Sequence, residues 1–233
     1  MIFDIRTQHS ACEFIQKFLN INDGEFIEKY IKQCKRSFDN FWEGNMNYID
    51  SVDIDNLQYK VFHITSNWDE CAEIKASGIK NLQKVLSQNN NLTKLLSKYG
   101  VEFDVDNKIL ITDNKNIDIE YDKYRDRFEL SSYEKKIDRV AHKIFDDFQV
   151  NGFFSNSDVL GYGTEIHNRP EFLWVLTDLL PHLKEAEDIW RRKSKGYIVT
   201  FLADFNEFAW YSFYDHEYEY LNDEKSKQQL KKW

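Results

Sequence analysis

Three short stretches of this chain carry residue types that could do chemistry together. His63 stands near the end of Gln58-Tyr59-Lys60-Val61-Phe62-His63-Ile64-Thr65, a run of β-formers that predicts a strand. Gly152-Phe153-Phe154-Ser155 offers a flat apolar ring, and strand alternation allows only one of its two phenylalanines to line a site. Later, Tyr214-Asp215-His216-Glu217-Tyr218-Glu219-Tyr220-Leu221 places Glu217 and Glu219 on one strand face by the two-residue period. Glu207, between Phe205 and Phe208, is a further carboxylate in an apolar setting. A fixed carboxylate stabilises growing positive charge, and an aromatic face packs against a planar ring. Each residue also has a plain structural role open to it: a strand-end histidine, two core phenylalanines, and solvated acids on a surface strand.

Other chemistries lack their signatures. The chain holds no Gly-x-Gly-x-x-Gly, Walker loop, His-Glu-x-x-His or Gly-x-Ser-x-Gly. His9, His63, His142, His167, His182 and His216 share no metal-ligand spacing, and no metal is expected. Cys12, Cys34 and Cys71 are odd in number and never in a Cys-x-x-Cys pair, so small buried hydrophobes in a reducing cytoplasm are expected.

The elements that must position these residues follow from periodicity. Apolar stripes at Phe14, Ile15, Phe18, Leu19 and at Phe26, Ile27, Tyr30, Ile31, Cys34 predict helices in the first part of the chain, broken at Asp23-Gly24. After the strand at 58–65, Ser66 is placed to cap a helix that stops at Gly78, and a second helix is predicted from Leu82 to Leu96, ending near Gly100. From Val101 the period becomes two, with turns at Asp106-Asn107 and Asp113-Asn114, which predicts a three-stranded meander. Ile137, Val140, Ala141, Ile144, Phe145 and Phe148 then mark a helix, and Pro170 opens another with Phe172, Leu173, Leu176, Leu179, Leu180 and Leu183 on its apolar face. Gly196–Phe205 is predicted as a continuous apolar strand, with Tyr-rich strands after it. Without regular strand-helix alternation, α+β is expected rather than α/β.

Composition sets the frame. Aromatic residues make up 16% of the chain, and only 2 Pro and 8 Gly occur, so an aromatic-rich core without long linkers is expected. A net charge of −9 disfavours tight non-specific DNA binding, leaving a small molecule, a basic partner, or RNA on a local basic patch such as Lys225–Trp233. No apolar stretch is long enough to span a bilayer and the N-terminus has no signal-peptide pattern, so a cytoplasmic protein without membrane contact is expected.

In their order, the three stretches resemble the ADP-ribosyltransferase superfamily, in its His-Tyr-Glu-like, toxin and defence-type branch. That family ends a strand in aromatic-His-Gly-Thr or aromatic-His-Gly-Ser and follows it with a helix. Here the matching residues are Phe62-His63-Ile64-Thr65, then Ile74 and Gly78-Ile79, with Ile64 standing where the family has Gly. The resemblance covers roughly 58–222. It implies a split antiparallel β-sheet core with flanking helices over 58–233, elaborated by the meander at about 101–120 and preceded by an N-terminal helical segment, 1–57.

By that resemblance NAD is the cofactor, consumed as substrate. His63 and Thr65 would sit in the NAD pocket, Phe153 would stack on the nicotinamide with Tyr162 or Phe172 across from it, and Glu217 would be the catalytic acid, with Glu219 and Glu207 behind it. Cleaving the nicotinamide–ribose bond builds an oxocarbenium-like sugar, which explains the need for a carboxylate. The implied partners are NAD, a macromolecular acceptor (RNA, DNA or protein) and a neutralising partner protein, in a toxin or phage-defence setting. Two other readings stand beside this one. An RNA 2′-phosphotransferase-like enzyme of the same superfamily calls for basic residues that the acidic balance disfavours. A non-catalytic α+β binding module would keep a degenerate form of the fold.

Overall fold

The computed structural model describes residues 1–113, 115–125, 127, 129–154 and 165–207, leaving aside the side chain of Asn206. Among them the chain is mixed α+β, with ten α-helices and two three-stranded sheets. None of these helices is long and apolar enough to cross a membrane. The chain divides into two compact units: Met1–Phe62 with the described parts of Phe153–Ser157 and Thr200–Trp233, and His63–Gly152 with the described part of Asp158–Val199.

In the first unit, β1 (Ile2–Phe3) pairs in parallel with β2 (Gln58–Asn67), Ile2 opposite Gln58 and Phe3 opposite Tyr59. The sheet order is β1-β2-β6, where β6 spans Lys195–Asp204. A parallel neighbour differs from the antiparallel sheet expected; β1 is two residues long and carries no legible period. A parallel pair needs a long crossover, which here runs through helices. These are α1 (Gln8–Leu19), α2 (Asp23–Phe26), a π-helical stretch over Ile27–Gln33 and α3 (Phe38–Ser51).

Thr7 caps α1 by accepting the Ser10 N–H at 3.0 Å, and Asn20 ends the helix in the left-handed region at φ 51°. Asp23-Gly24 begins α2 rather than breaking the chain, because Asn22 supplies the cap and Glu25 returns the bond. In the π-helical stretch the Cys34 N–H reaches the Lys29 carbonyl at 2.9 Å, and the wider winding turns Ile27 outward, 49% exposed, while Phe26 and Tyr30 stack at 5.3 Å. Two apolar clusters hold this unit together. One joins Leu19, Phe41 and Ile49; the other joins Ile54, Leu57, Tyr59, Val61, Ala203 and Phe205.

The second unit carries α4 (Ala72–Ser77), α5 (Leu82–Leu86), α6 (Asn91–Ser97), the strands β3 (Val101–Asp104), β4 (Ile109–Thr112) and β5 (Lys115–Asp118), then α7 (Tyr121–Tyr124), α8 (Ser132–Phe145), α9 (Glu171–Leu179) and α10 (Lys184–Lys193). The meander forms as expected, antiparallel, with Val101 opposite Thr112 and Leu110 opposite Ile117. The α8 stripe is also as expected, with Ile137, Val140, Ala141 and Ile144 buried. Its core joins α8 to Leu173 and Leu176 of α9, Leu183, Ala186 and Trp190, and to Leu96, Val101 and Leu110. Fully burying one such aliphatic side chain contributes about 1.5–3 kcal/mol.

Several local expectations are corrected here. Ser66 lies inside β2 and accepts a hydrogen bond from the Trp190 indole at 2.9 Å, so it caps no helix. Asn67 shapes the turn instead: its side-chain oxygen accepts the N–H groups of Asp69 at 2.8 Å and Cys71 at 2.9 Å. The helix predicted from Leu82 to Leu96 is two helices, because Asn90 caps α6 by accepting from Leu92 and Thr93 while donating to the Val85 carbonyl at 2.6 Å. The strand expected around 150–155 reduces to a single bridge at Phe153 among the described residues. β6 alternates rather than being continuously apolar, with Ala203 its one buried residue and Leu202 47% exposed.

Candidate functional site

The backbone of β2 decides how His63 is presented. Tyr59 and Val61 are buried, and then the alternation changes phase, so that Phe62, Ile64 and Ser66 are buried and His63, Thr65 and Asn67 form the half-buried face. Ile64, in the position where the resembling family has Gly, therefore points away from His63 and Thr65. Residues two apart on a strand stand about 7 Å from one another, which makes His63 and Thr65 neighbours on one face.

Within the second unit the His63 ring is anchored by one hydrogen bond. Its Nδ1 lies 2.8 Å from the Asn151 carbonyl oxygen. A carbonyl can only accept, so Nδ1 carries the proton and Nε2 of the neutral ring bears a lone pair. Burial pulls the imidazole below its ordinary value of 6.5, opposed by the Asn151 carbonyl, which favours the charged form. The ring is thus neutral at pH 7. Nε2 makes no hydrogen bond with another described residue, which leaves it as an acceptor for a ligand hydroxyl or amide.

The remaining candidates fall out as follows. Phe172 is 5% exposed in the core of the second unit, its ring 5.6 Å from that of Phe103. It works there as a core residue, held by the apolar face of α9. In the first unit, Phe153 forms a two-way backbone bridge with Phe62, both N–H···O distances 2.8 Å. Phe154 turns its ring into that unit's core, 5.9 Å from Phe3 and 5.7 Å from Tyr59, while Phe153 is half-buried. Alternation has separated the two rings, and Phe153 is the one outside that cluster. Glu207 is exposed, and its carboxylate accepts the Asp204 N–H at 2.9 Å, closing the end of β6. Tyr162, Glu217 and Glu219 lie outside the described residues.

A polar cluster in the second unit carries no sequence motif of its own. Glu187, 2% exposed on α10, lies 2.7 Å from Arg169 Nε and 3.1 Å from Lys184 Nζ, with Arg191 at 3.3 Å. Burial pushes its carboxyl up, but the Lys184 hydrogen bond and the charges of Lys184 and Arg169 outweigh that and leave it below its ordinary value. Arg169 also packs over the Trp174 ring at 5.4 Å. The alternating charges of Lys184-Glu185-Ala186-Glu187 and Arg191-Arg192-Lys193 were the signal that could have revealed α10. Among the described residues, no group of three or more His, Cys, Asp or Glu converges as metal ligands would.

Compared with known proteins, the chain matches no family model, no curated protein and no solved structure.

Proposed function

We propose that this chain is an NAD-consuming transferase that moves ADP-ribose from NAD to a macromolecular acceptor, on an ADP-ribosyltransferase-like elaboration of its α+β fold. The supporting observation is the anchoring of His63: its Nδ1 lies 2.8 Å from the Asn151 carbonyl, which commits that nitrogen as the donor and leaves Nε2 to accept, beside Thr65 on the same strand face. An acceptor nitrogen and a hydroxyl on one strand face suit the hydroxyls of a ribose. Neither group does acid-base work in this reading; they orient the dinucleotide.

The remaining roles rest on the sequence. Phe153 is the ring for the nicotinamide, and Glu217 is the carboxylate that stabilises the oxocarbenium-like ribose and orients the incoming nucleophile. Nicotinamide is the leaving group, and the acceptor supplies the new bond to the anomeric carbon. The test is nicotinamide release from NAD by the purified chain, with RNA, DNA or a protein extract offered as acceptor. Glu217→Gln is expected to lose most turnover while still binding NAD, and His63→Ala to weaken NAD binding. Full turnover in Glu217→Gln would reject that assignment, and absence of both NAD binding and nicotinamide release from the parent chain would reject the function.

A further inference from the structure

A second feature of the second unit lies apart from the residues assigned above. Trp68, Asn91, Lys94, Leu95, Lys98 and Lys193 line a cleft of about 440 Å³. That volume is within the range of ~300–1,000 Å³ usual for small-molecule sites. Lys94 and Lys98 are one helical turn apart at α6, and Lys193 ends α10. All three are exposed.

Lys108, Lys123, Lys136, Lys143 and Lys184 of the same unit each pair with a carboxylate. Lys94, Lys98 and Lys193 form no ion pair among the described residues; Lys193 instead stands over the Trp68 ring, 5.2 Å from its centroid. Like charges one turn apart on a helix repel. The C-terminal dipoles of α6 and α10 favour cations near those ends, yet they explain neither the cavity nor its aromatic wall. That wall is rigid. Trp68 stacks on Trp190 at 4.7 Å and 27°, and the Trp190 indole N–H is in turn held by Ser66. Asn91 turns to Asp69, its amide donating to the carboxylate at 3.1 Å, so the ammonium groups are the charged donors of the cleft.

We propose that this cleft binds a nucleoside diphosphate, its phosphates held by Lys94, Lys98 and Lys193 and its nucleoside set against the Trp68 indole. Three ammoniums in a chain of net charge −9 form a local positive field suited to a doubly or triply charged anion, and an aromatic wall suits a base rather than a bare phosphate.

Titration of the full chain with pyrophosphate and with adenosine diphosphate, followed by calorimetry and by tryptophan fluorescence, tests this directly. Both probes are expected to bind, the diphosphate nucleoside more tightly, with affinity falling as salt rises. The double variant Lys94→Gln/Lys98→Gln should weaken both probes at least ten-fold without changing the far-ultraviolet circular dichroism, and Lys193→Gln should weaken them further. Trp68→Leu should erase the advantage of adenosine diphosphate over pyrophosphate. Lys115→Gln, an exposed lysine of β5, should change neither, and His63→Ala should leave both affinities intact even if NAD binding is lost. Absence of binding, or binding indifferent to the lysine variants, overturns the proposal, and equal affinity for the two probes overturns its nucleoside part.

Discussion

The imidazole Nδ1 of His63 and the carbonyl oxygen of Asn151 lie 2.8 Å apart, joining the middle of β2 to a residue far along the chain. That bond fixes which nitrogen of the ring is free and which way the ring faces. Any function assigned to His63 must begin from a neutral, Nδ1-protonated imidazole.

The protonation of His63 can be read directly. Its ring is expected to titrate below 6.5, because burial disfavours the imidazolium. The unfolded chain then takes up this proton at higher pH than the folded one. This group's share of stability is therefore complete above 6.5 and declines as pH falls through the lowered folded value. Proton-carbon nuclear magnetic resonance of the ring across the acid range measures the midpoint, and a midpoint at or above the ordinary value would contradict the burial of the ring, since the Asn151 bond alone would raise it.

Gly196, near the start of β6, leaves no room for a side chain. A Cβ there would lie 2.9 Å from the Cβ of His167 and 3.0 Å from its carbonyl oxygen. The backbone oxygen cannot rotate away, so Gly196→Ala should destabilise the protein by about 1–3 kcal/mol, the usual cost of overpacking. Thermal unfolding of the two proteins side by side decides it: equal melting temperatures would mean the strand shifts freely.

Glu187 provides a sharper test of buried charge. Its carboxylate balances Arg169 and Lys184 at close range while almost wholly buried. Glu187→Gln leaves the Arg169 guanidinium, itself 6% exposed, without its counter-ion, and should cost about 3–5 kcal/mol. Because the folded carboxyl is held below its ordinary value of 4.5, its contribution is whole above that pH and is lost as pH falls through the folded value. Chemical denaturation at pH 7 and at pH values below 4.5 should show the difference between parent and variant shrinking with acidity. A constant difference would assign the loss to packing alone.

Trp190 joins three features at once: the core of the second unit, the stack on Trp68 and the hydrogen bond to Ser66. Trp190→Phe keeps much of the apolar contact but leaves the buried Ser66 hydroxyl without its donor, which should cost about 1–3 kcal/mol. Ser66→Ala in the same background should add little, since both variants remove one bond. A double-mutant cycle by denaturant unfolding measures this coupling, and simple additivity would show that the bond contributes nothing.

Elements governed by near neighbours were legible in the chain. The meander followed from alternation at Val101, Phe103 and Ile117, because a strand puts every second residue on one face, although β4 buries Leu110 and Thr112 rather than the expected Ile109 and Ile111. The α8 stripe was equally plain, and Gly78 and Gly100 mark chain reversals at φ 78° and 69°, where other residues are strained. The candidate histidine was visible too, as an imidazole in a β-forming run. Its tautomer was not, because Asn151 is remote in sequence.

Other features depended on who meets whom. Nothing local distinguishes Phe153 from Phe154, or marks Phe172 as a partner of Phe103; packing assigns each ring. The pairing of Ile2 with Gln58 joins a strand too short to carry a period to one selected by the folded chain. Ser66 is a sound helix cap by local rules, yet a buried indole N–H needs an acceptor, and Trp190 claims it. The lysines of the cleft come from two helices that are distant in sequence, and only folding gathers them beside Trp68. Periodicity and capping are short-range physics and can be read from the order of residues; burial, tautomer and the meeting of charges are long-range, and the tertiary structure alone decided them.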